Sequence, residues 1–219
     1  MSYKEFFAPL HKKTKRDYLS RVNAQKPECM KISREYGYDY WDGDRKYGYG
    51  GYHYDGRWAP MAQNLVNYYH LNHDSKILDV GCGKGFLIYE LKKILTNSQI
   101  FGLDISQYAI DNAKDEIKNC IRLGNSTQLP FENKSFDLVI SNGALHNLKL
   151  FDLFKAVKEI QRVSKGKSWI CVESFRNEDE QFNMMNWSLS AQAFLSSEEW
   201  EWIFNTNGYS GDWEFFYFN

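Results

Sequence analysis

The chain has 219 residues and a formal net charge of −1, enough length for one domain with a full hydrophobic core. Balanced charge gives no general affinity for polyanions, which argues against a nucleic-acid partner. The four cysteines, Cys29, Cys82, Cys120 and Cys171, contain no Cys-x-x-Cys pair, so they read as thiols of a reducing compartment rather than a disulfide frame or a zinc site. Residues 1–10 carry no apolar run of signal-peptide length, and no stretch has the length and apolarity of a bilayer span. The expected setting is the cytoplasm, without membrane insertion.

In chain order, residues 1–56 read as an N-terminal extension and 57–219 as the core domain. His11-Lys12-Lys13-Thr14-Lys15-Arg16 is a short basic run of the kind found on a solvated helix face. From Tyr36 to Trp58, aromatic residues alternate with glycine and aspartate, a pattern that excludes a regular amphipathic helix. It suits a folded loop that presents rings, hydroxyls and backbone N–H groups. A helix follows from 58 or 60 to 71, with Pro60 in its first turn and Met61, Leu65, Val66 and Tyr69 on its apolar face. Strands are predicted near 76–80, 99–104, 119–123, 136–141 and 168–173, and helices near 85–95, 106–117, 151–164 and 197–206. Ser196 with Glu199 forms a capping-box pattern and Gly208 a C-cap. The last strand falls at 213–218. Residues 178–195, with Met184, Met185, Trp187 and Phe194, read either as a partial lid or as an element packed on the sheet edge. The alternation predicts an α/β fold with a mostly parallel sheet and helices on both faces.

The most informative stretch is Asp79-Val80-Gly81-Cys82-Gly83-Lys84-Gly85, with Asp104 ending the next apolar run. The glycines let the backbone turn sharply and let a ligand approach without a Cβ in the way. An acid roughly twenty residues on can accept hydrogen bonds from both hydroxyls of a ribose. A dinucleotide site wants Gly-x-Gly-x-x-Gly; here the third glycine position holds Phe86, and Gly85 comes one residue early. Leu123-Gly124-Asn125-Ser126-Thr127-Gln128-Leu129-Pro130-Phe131, then 136–142 ending in Ser141-Asn142, then Leu145-His146-Asn147-Leu148 complete the series.

These four motifs, in this order, resemble those of class I S-adenosylmethionine (SAM) methyltransferases. The resemblance implies a Rossmann-like fold and SAM as cofactor. It implies Asp79, Gly81, Cys82, Gly83 and Gly85 around the amino-acid portion of SAM, Asp104 on the ribose and Ile105 against the adenine. Asn125, where the family often has aspartate, and Ser126 would lie at the adenine edge, and Ser141 is counted among the cofactor-binding residues. The family's sheet usually closes with a strand pair; here the second of the pair is expected to be short or absent. Residues 40–51, with 11–18 and 172–177, also resemble bacterial methyltransferases encoded with surface-polysaccharide genes. That resemblance implies O-methylation of a sugar, a sugar nucleotide or a small phosphorylated group in capsule or O-antigen biosynthesis.

Methyl transfer to a hydroxyl needs alignment and removal of a proton. His146, Glu173 and His53 are the candidate bases. His146 has the alternative of shaping the turn beside the cofactor, Glu173 of pairing with Arg176, and His53 of a plain surface imidazole. Tyr40, Trp41, Tyr47, Tyr49 and Tyr52 are expected to line the acceptor site. Arg45 and Arg57 could hold a phosphate or carboxylate by paired hydrogen bonds, and Arg176 is counted among the acceptor-binding residues. Asp42 and Asp44 could bind sugar hydroxyls or simply form turns. No carboxylate–histidine cluster has a spacing that demands a metal, so none is expected. The partner expected is a small-molecule acceptor. Two rival readings stay open: N-methylation of a small metabolite or a protein, and a non-catalytic SAM-fold binding subunit.

Overall fold

The computed structural model describes residues 1–8, 17–21 and 25–219; the basic run 11–16 lies outside them. Six strands form one sheet in the order β3-β2-β1-β4-β5-β6. They are β1 (Lys76–Val80), β2 (Gln99–Asp104), β3 (Ile121–Leu123), β4 (Leu138–Asn142), β5 (Ser168–Glu173) and β6 (Asp212–Phe216), and every neighbouring pair is parallel. Central strands covered on both faces must be apolar throughout. Accordingly Ile77, Leu78 and Val80 are all buried. Alternate residues of each strand feed two separate cores. Ile77, Ile100, Leu138 and Trp169 pack with α3 (Ala59–Tyr69) and α4 (Phe86–Ile94). Leu78, Val139, Ile170 and Val172 pack with α7 (Leu150–Val163) and α9 (Ser197–Thr206).

The remaining helices are short. α1 (Lys26–Ser33) and α2 (Tyr38–Trp41) belong to the extension, and α8 (Glu178–Trp187) follows β5. The helix expected over 106–117 is broken into α5 (Gln107–Asp111) and α6 (Asp115–Lys118). The Asn112 amide donates back to the Tyr108 carbonyl, the local competition by which asparagine ends a helix. The expected third strand is shortened to three residues. The fourth starts later than expected because the Asp137 carboxylate, rather than its strand, receives the Lys76 N–H. The capping box of α9 is present in full, and Gly208, at φ +64, follows the C-cap residue Asn207.

β6 lies directly beside β5, and no seventh strand occurs among the described residues. The N-terminus takes the outer edge instead. Tyr3 forms a parallel bridge with Trp213, and Lys4 N–H donates to the Trp213 carbonyl at 2.8 Å. The buried Glu214 carboxylate then accepts the N–H groups of Phe6 (2.6 Å), Phe7 (2.8 Å) and Ala8 (2.6 Å). Phe6 drops into the core against Trp169, ring centres 5.5 Å apart. An open edge is thereby covered, and a buried carboxylate is satisfied by three donors. Glu214→Ala is expected to cost about 3 kcal/mol in urea denaturation and to expose residues 1–8 to protease. A loss below about 1 kcal/mol would mean that Phe6 packing alone holds the segment.

Candidate active site

β1 delivers Asp79 to the carboxyl edge of the sheet, and the loop 81–85 turns from there into α4. Gly81 and Gly83 have positive φ, 78° and 55°. A Cβ on Gly81 would stand 2.3 Å from the Ala144 Cβ, and one on Gly83 would stand 2.8 Å from the Trp41 ring. The loop is held by the next strand: Gly81 N–H donates to the Leu103 carbonyl. Asp104 accepts Gly83 N–H at 2.6 Å with one oxygen and Ser106 N–H at 2.8 Å with the other.

The extension closes directly over this loop. Lys84 is only 3% exposed, and its ammonium donates to both oxygens of Asp42 (2.8 and 2.6 Å) and to the Tyr52 carbonyl (2.9 Å). Burial works to raise the Asp42 pKa, but the Lys84, Tyr52 and Tyr108 hydrogen bonds outweigh it and hold the carboxyl below its usual value. The Trp41 indole N–H reaches Ser106 Oγ at 2.9 Å. Trp41 stacks on Tyr49 and Tyr52 stacks on Phe86, with ring centres 5.4 and 5.1 Å apart.

Between loop and extension lies a cavity of about 670 Å³, the size of a small-molecule site. Asp79, Gly81, Cys82, Gly83, Asp104, Ile105, Asn125 and Ser126 line it from the core. Tyr40, Trp41, Arg45, Tyr49, Tyr52 and His53 line it from the extension, and Arg57 from the start of the core domain. The cavity also draws on Arg34 and Gln192, which the sequence did not single out, and on Tyr36, Asn142 and Asn147, which it named only as members of their motifs. The amide oxygens of Asn142 and Asn147 are buried without a partner. The Asn125 oxygen already accepts Thr127 N–H in a local turn.

Six expected positions lie away from the cavity lining. Gly85 is the left-handed cap of α4, and a Cβ there would strike Ile117 at 2.5 Å, so its role is packing. Ser141 is fully buried and donates to the Val80 carbonyl. Tyr47 sits under the Lys46 ammonium, 4.7 Å from the ring centre. Arg176 pairs with Glu180 rather than Glu173 and covers the Tyr217 ring. His146 is 5% exposed. Its Nδ1 accepts Glu173 N–H at 3.2 Å, and its carbonyl receives the N–H groups of Gln192 and Ala193. Burial lowers its pKa, against the pull of the Glu173 charge. Glu173 itself accepts Ser188 Oγ–H at 2.7 Å. This pair braces the loop that carries Gln192 to the cavity.

A family model described as "Methyltransferase domain" matches residues 71–208. The chain belongs to this family. It is 30% identical over 128 residues to the demethylmenaquinone methyltransferase of Symbiobacterium thermophilum, covering 54% of this chain and 50% of that one. It is 28% identical over 171 residues to the chloroplastic 2-phytyl-1,4-beta-naphthoquinone methyltransferase of Arabidopsis thaliana, covering 69% and 64%. It is 33% identical over 108 residues to an uncharacterized methyltransferase of Schizosaccharomyces pombe, covering 44% and 38%. The chain thus spans between 38% and 64% of the length of these curated relatives. Among solved structures, the YcgJ protein of Bacillus subtilis has a TM-score of 0.54 at 22% identity, covering 67% of this chain and 66% of that one. The [4+2]-cyclase SpnF has a TM-score of 0.56 at 19% identity, covering 77% and 61%. Both share the fold.

The cofactor of the domain is SAM, and the donor set fits it. SAM presents a sulfonium and an ammonium. The cavity presents Asp79, 3% exposed, a carboxylate for which no protein hydrogen-bond donor occurs among the described residues. Burial, and secondly the Asp104 charge, push the Asp79 pKa up to about 7. Among the described residues no cluster of His, Cys, Asp and Glu could hold a metal ion, and no helix is long and apolar enough to cross a membrane.

A carboxyl whose folded pKa is raised contributes stability at acid pH that is lost as pH rises through that pKa. For Asp79 the contribution is complete below about 3.8 and gone above about 7. Asp79→Asn is therefore expected to raise the Tm of the ligand-free protein more at pH 8 than at pH 5, in paired thermal melts. Equal shifts at the two pH values would show that Asp79 is not charged and unpaired in the folded state.

Proposed function

We propose that the protein transfers the methyl group of SAM to an oxygen of a small sugar-like or phosphorylated acceptor, as in capsule or O-antigen biosynthesis. The observation that carries this reading is the cavity itself: the core lines it with the unpartnered Asp79 carboxylate and the amides of Asn142, Asn147 and Gln192, and the extension lines it with tyrosines, Arg34 and Arg45. Tyrosine rings and hydroxyls suit the C–H faces and hydroxyls of sugars. Residues 1–56 then act as the extension on the acceptor side, and 57–219 as the cofactor-binding domain. A cytoplasmic setting suits the four unpaired cysteines.

In this reading Asp79, Gly81, Cys82 and Gly83 hold the amino-acid portion of SAM. Asp104 holds the ribose, Ile105 the adenine face, and Asn125 and Ser126 the adenine edge. SAM brings an already activated methyl carbon, so the protein's task is alignment and proton removal. Of the three candidate bases, His53 lines the cavity and takes the acceptor proton. His146 and Glu173 act as positioning residues through the loop they brace.

The second reading is a quinone-type acceptor. It is favoured by the two naphthoquinone-acting relatives, at 30% and 28% identity. The tyrosine hydroxyls, amides and arginines in the lining suit a polar acceptor, which is why that reading stands first.

Calorimetric titration with S-adenosylhomocysteine (SAH) is expected to give micromolar binding that falls at least tenfold in Asp104→Ala. SAH release is then measured with SAM and a panel of sugar nucleotides, sugar phosphates and reduced naphthoquinones. Turnover with the first two groups supports the reading; turnover with naphthoquinols alone overturns the acceptor class. His53→Ala is expected to slow turnover about 10²–10⁴-fold with SAH affinity unchanged.

A further inference from the structure

The two cavity arginines named from sequence are already engaged. Arg57 clasps Asp55, its Nε 3.0 and 2.7 Å from the two carboxylate oxygens. Arg45 donates to the Gly48 carbonyl and lies 5.3 Å from the centre of the Trp187 ring. Arg34 differs from both. It is the half-buried C-cap residue of α1, and it lines the cavity. One terminal nitrogen donates to the Ala191 carbonyl at 3.0 Å. Its Nε is shut off from solvent and bonds to nothing. Among the described residues no carboxylate forms an ion pair with it.

A guanidinium does not lose its proton in a protein. A shielded donor on a permanent cation is therefore costly until an acceptor arrives, and an oxyanion is the best acceptor available. The Arg34 charge acts on the Tyr36 hydroxyl, which burial pushes up to about 12. The Ala191 carbonyl ties Arg34 to the loop that carries Gln192 to the cavity.

We propose that Arg34 is the anion-recognising residue of the acceptor site, and that the acceptor carries a phosphate or carboxylate. This rests on the reading of the cavity as a methyl-transfer site, and it narrows the acceptor class by charge. The same oxyanion chemistry is present in the carboxylate of the cofactor, so the test must separate the two sources.

Two titrations do so, each on wild type, Arg34→Gln and Arg34→Lys: SAH into the free protein, and inorganic phosphate into the SAH-saturated protein. Arg34→Gln is expected to weaken phosphate at least tenfold and to change SAH affinity less than twofold, while Arg34→Lys recovers part of the phosphate affinity. Acetate in place of phosphate tells a carboxylate-bearing acceptor from a phosphorylated one. If neither anion binds wild type, or Arg34→Gln leaves anion binding unchanged, the proposal is overturned. Loss of SAH alone in Arg34→Gln gives Arg34 to the cofactor and overturns it too. Loss of both ligands in both variants marks Arg34 as a structural prop and also overturns it. Arg34-dependent phosphate binding in a wild type that binds no SAH, measured without it, keeps the anion site and removes the methyl-transfer reading.

Discussion

The Asp104 carboxylate is the contact on which the site depends. One oxygen takes the Gly83 N–H and fixes the glycine loop; the other takes the Ser106 N–H and fixes the turn into α5. Ser106 Oγ then donates to the Tyr36 carbonyl at 2.5 Å and accepts the Trp41 indole N–H. Three chain segments far apart in sequence therefore share one set of hydrogen bonds. The Asp104 pKa is raised by burial in spite of its backbone donors, so its charge is held at a cost that its neighbours only partly offset. Such a group stays buried in the charged form only where surrounding dipoles are fixed in advance, which is the condition a binding site needs.

The Lys84–Asp42 pair gives the extension its register on the loop. An exposed ion pair would contribute little, but here both ends are shielded and Asp42 also takes the Tyr52 N–H and the Tyr108 hydroxyl. Removing one partner of such a pair strands the other and costs about 3–5 kcal/mol. Residues 42, 52, 84 and 108 thus order together. The Trp41 ring then sits where any side chain at position 83 would have to go. The glycine at 83 serves the extension as much as it serves a ligand.

The strands and the motif loops were legible because period and glycine spacing are local signals. Asp79, Gly81, Gly83 and Asp104 all reach the cavity because a buried parallel strand leaves one place for the residue at its carboxyl end. The lost positions share a different cause. Ser141 and Gly85 belong to motifs that touch the cavity elsewhere; the Ser141 hydroxyl is turned to the Val80 carbonyl, and Gly85 serves as the left-handed cap of α4. His146 looked like a base because it follows β4, but a 3-10 turn, Leu145–Asn147, folds it inward beneath the 188–195 loop. Arg34 gave no signal at all, and Tyr36 gave one only as the first residue of the aromatic stretch. They lie at the end of an eight-residue helix with little apolar periodicity, and their place is set by long-range bonds to Ala191 and Ser106. Tyr36 even adopts a left-handed conformation, φ 50°, in which a bulky residue is strained. That conformation lets its carbonyl meet both Trp41 and Ser106.

The cavity holds a carboxylate and a guanidinium that do not neutralise each other. Asp79 is fixed by the rigid centre of the sheet, paired in register with Gly102 and Ile140. Arg34 is fixed by its place at the end of α1 and by the Ala191 carbonyl. Were the fold selected for stability alone, the buried Asp79 would be replaced or given a donor, since an unpartnered buried carboxylate is among the costliest features a core can carry. The shielded Nε of Arg34 is a second unmet demand, of opposite sign, in the lining of the same cavity. On the proposed reading Asp79 receives the ammonium of the cofactor and Arg34 the anion of the acceptor, and the ordering of the extension by Asp104 and Lys84 is what holds the second group in place.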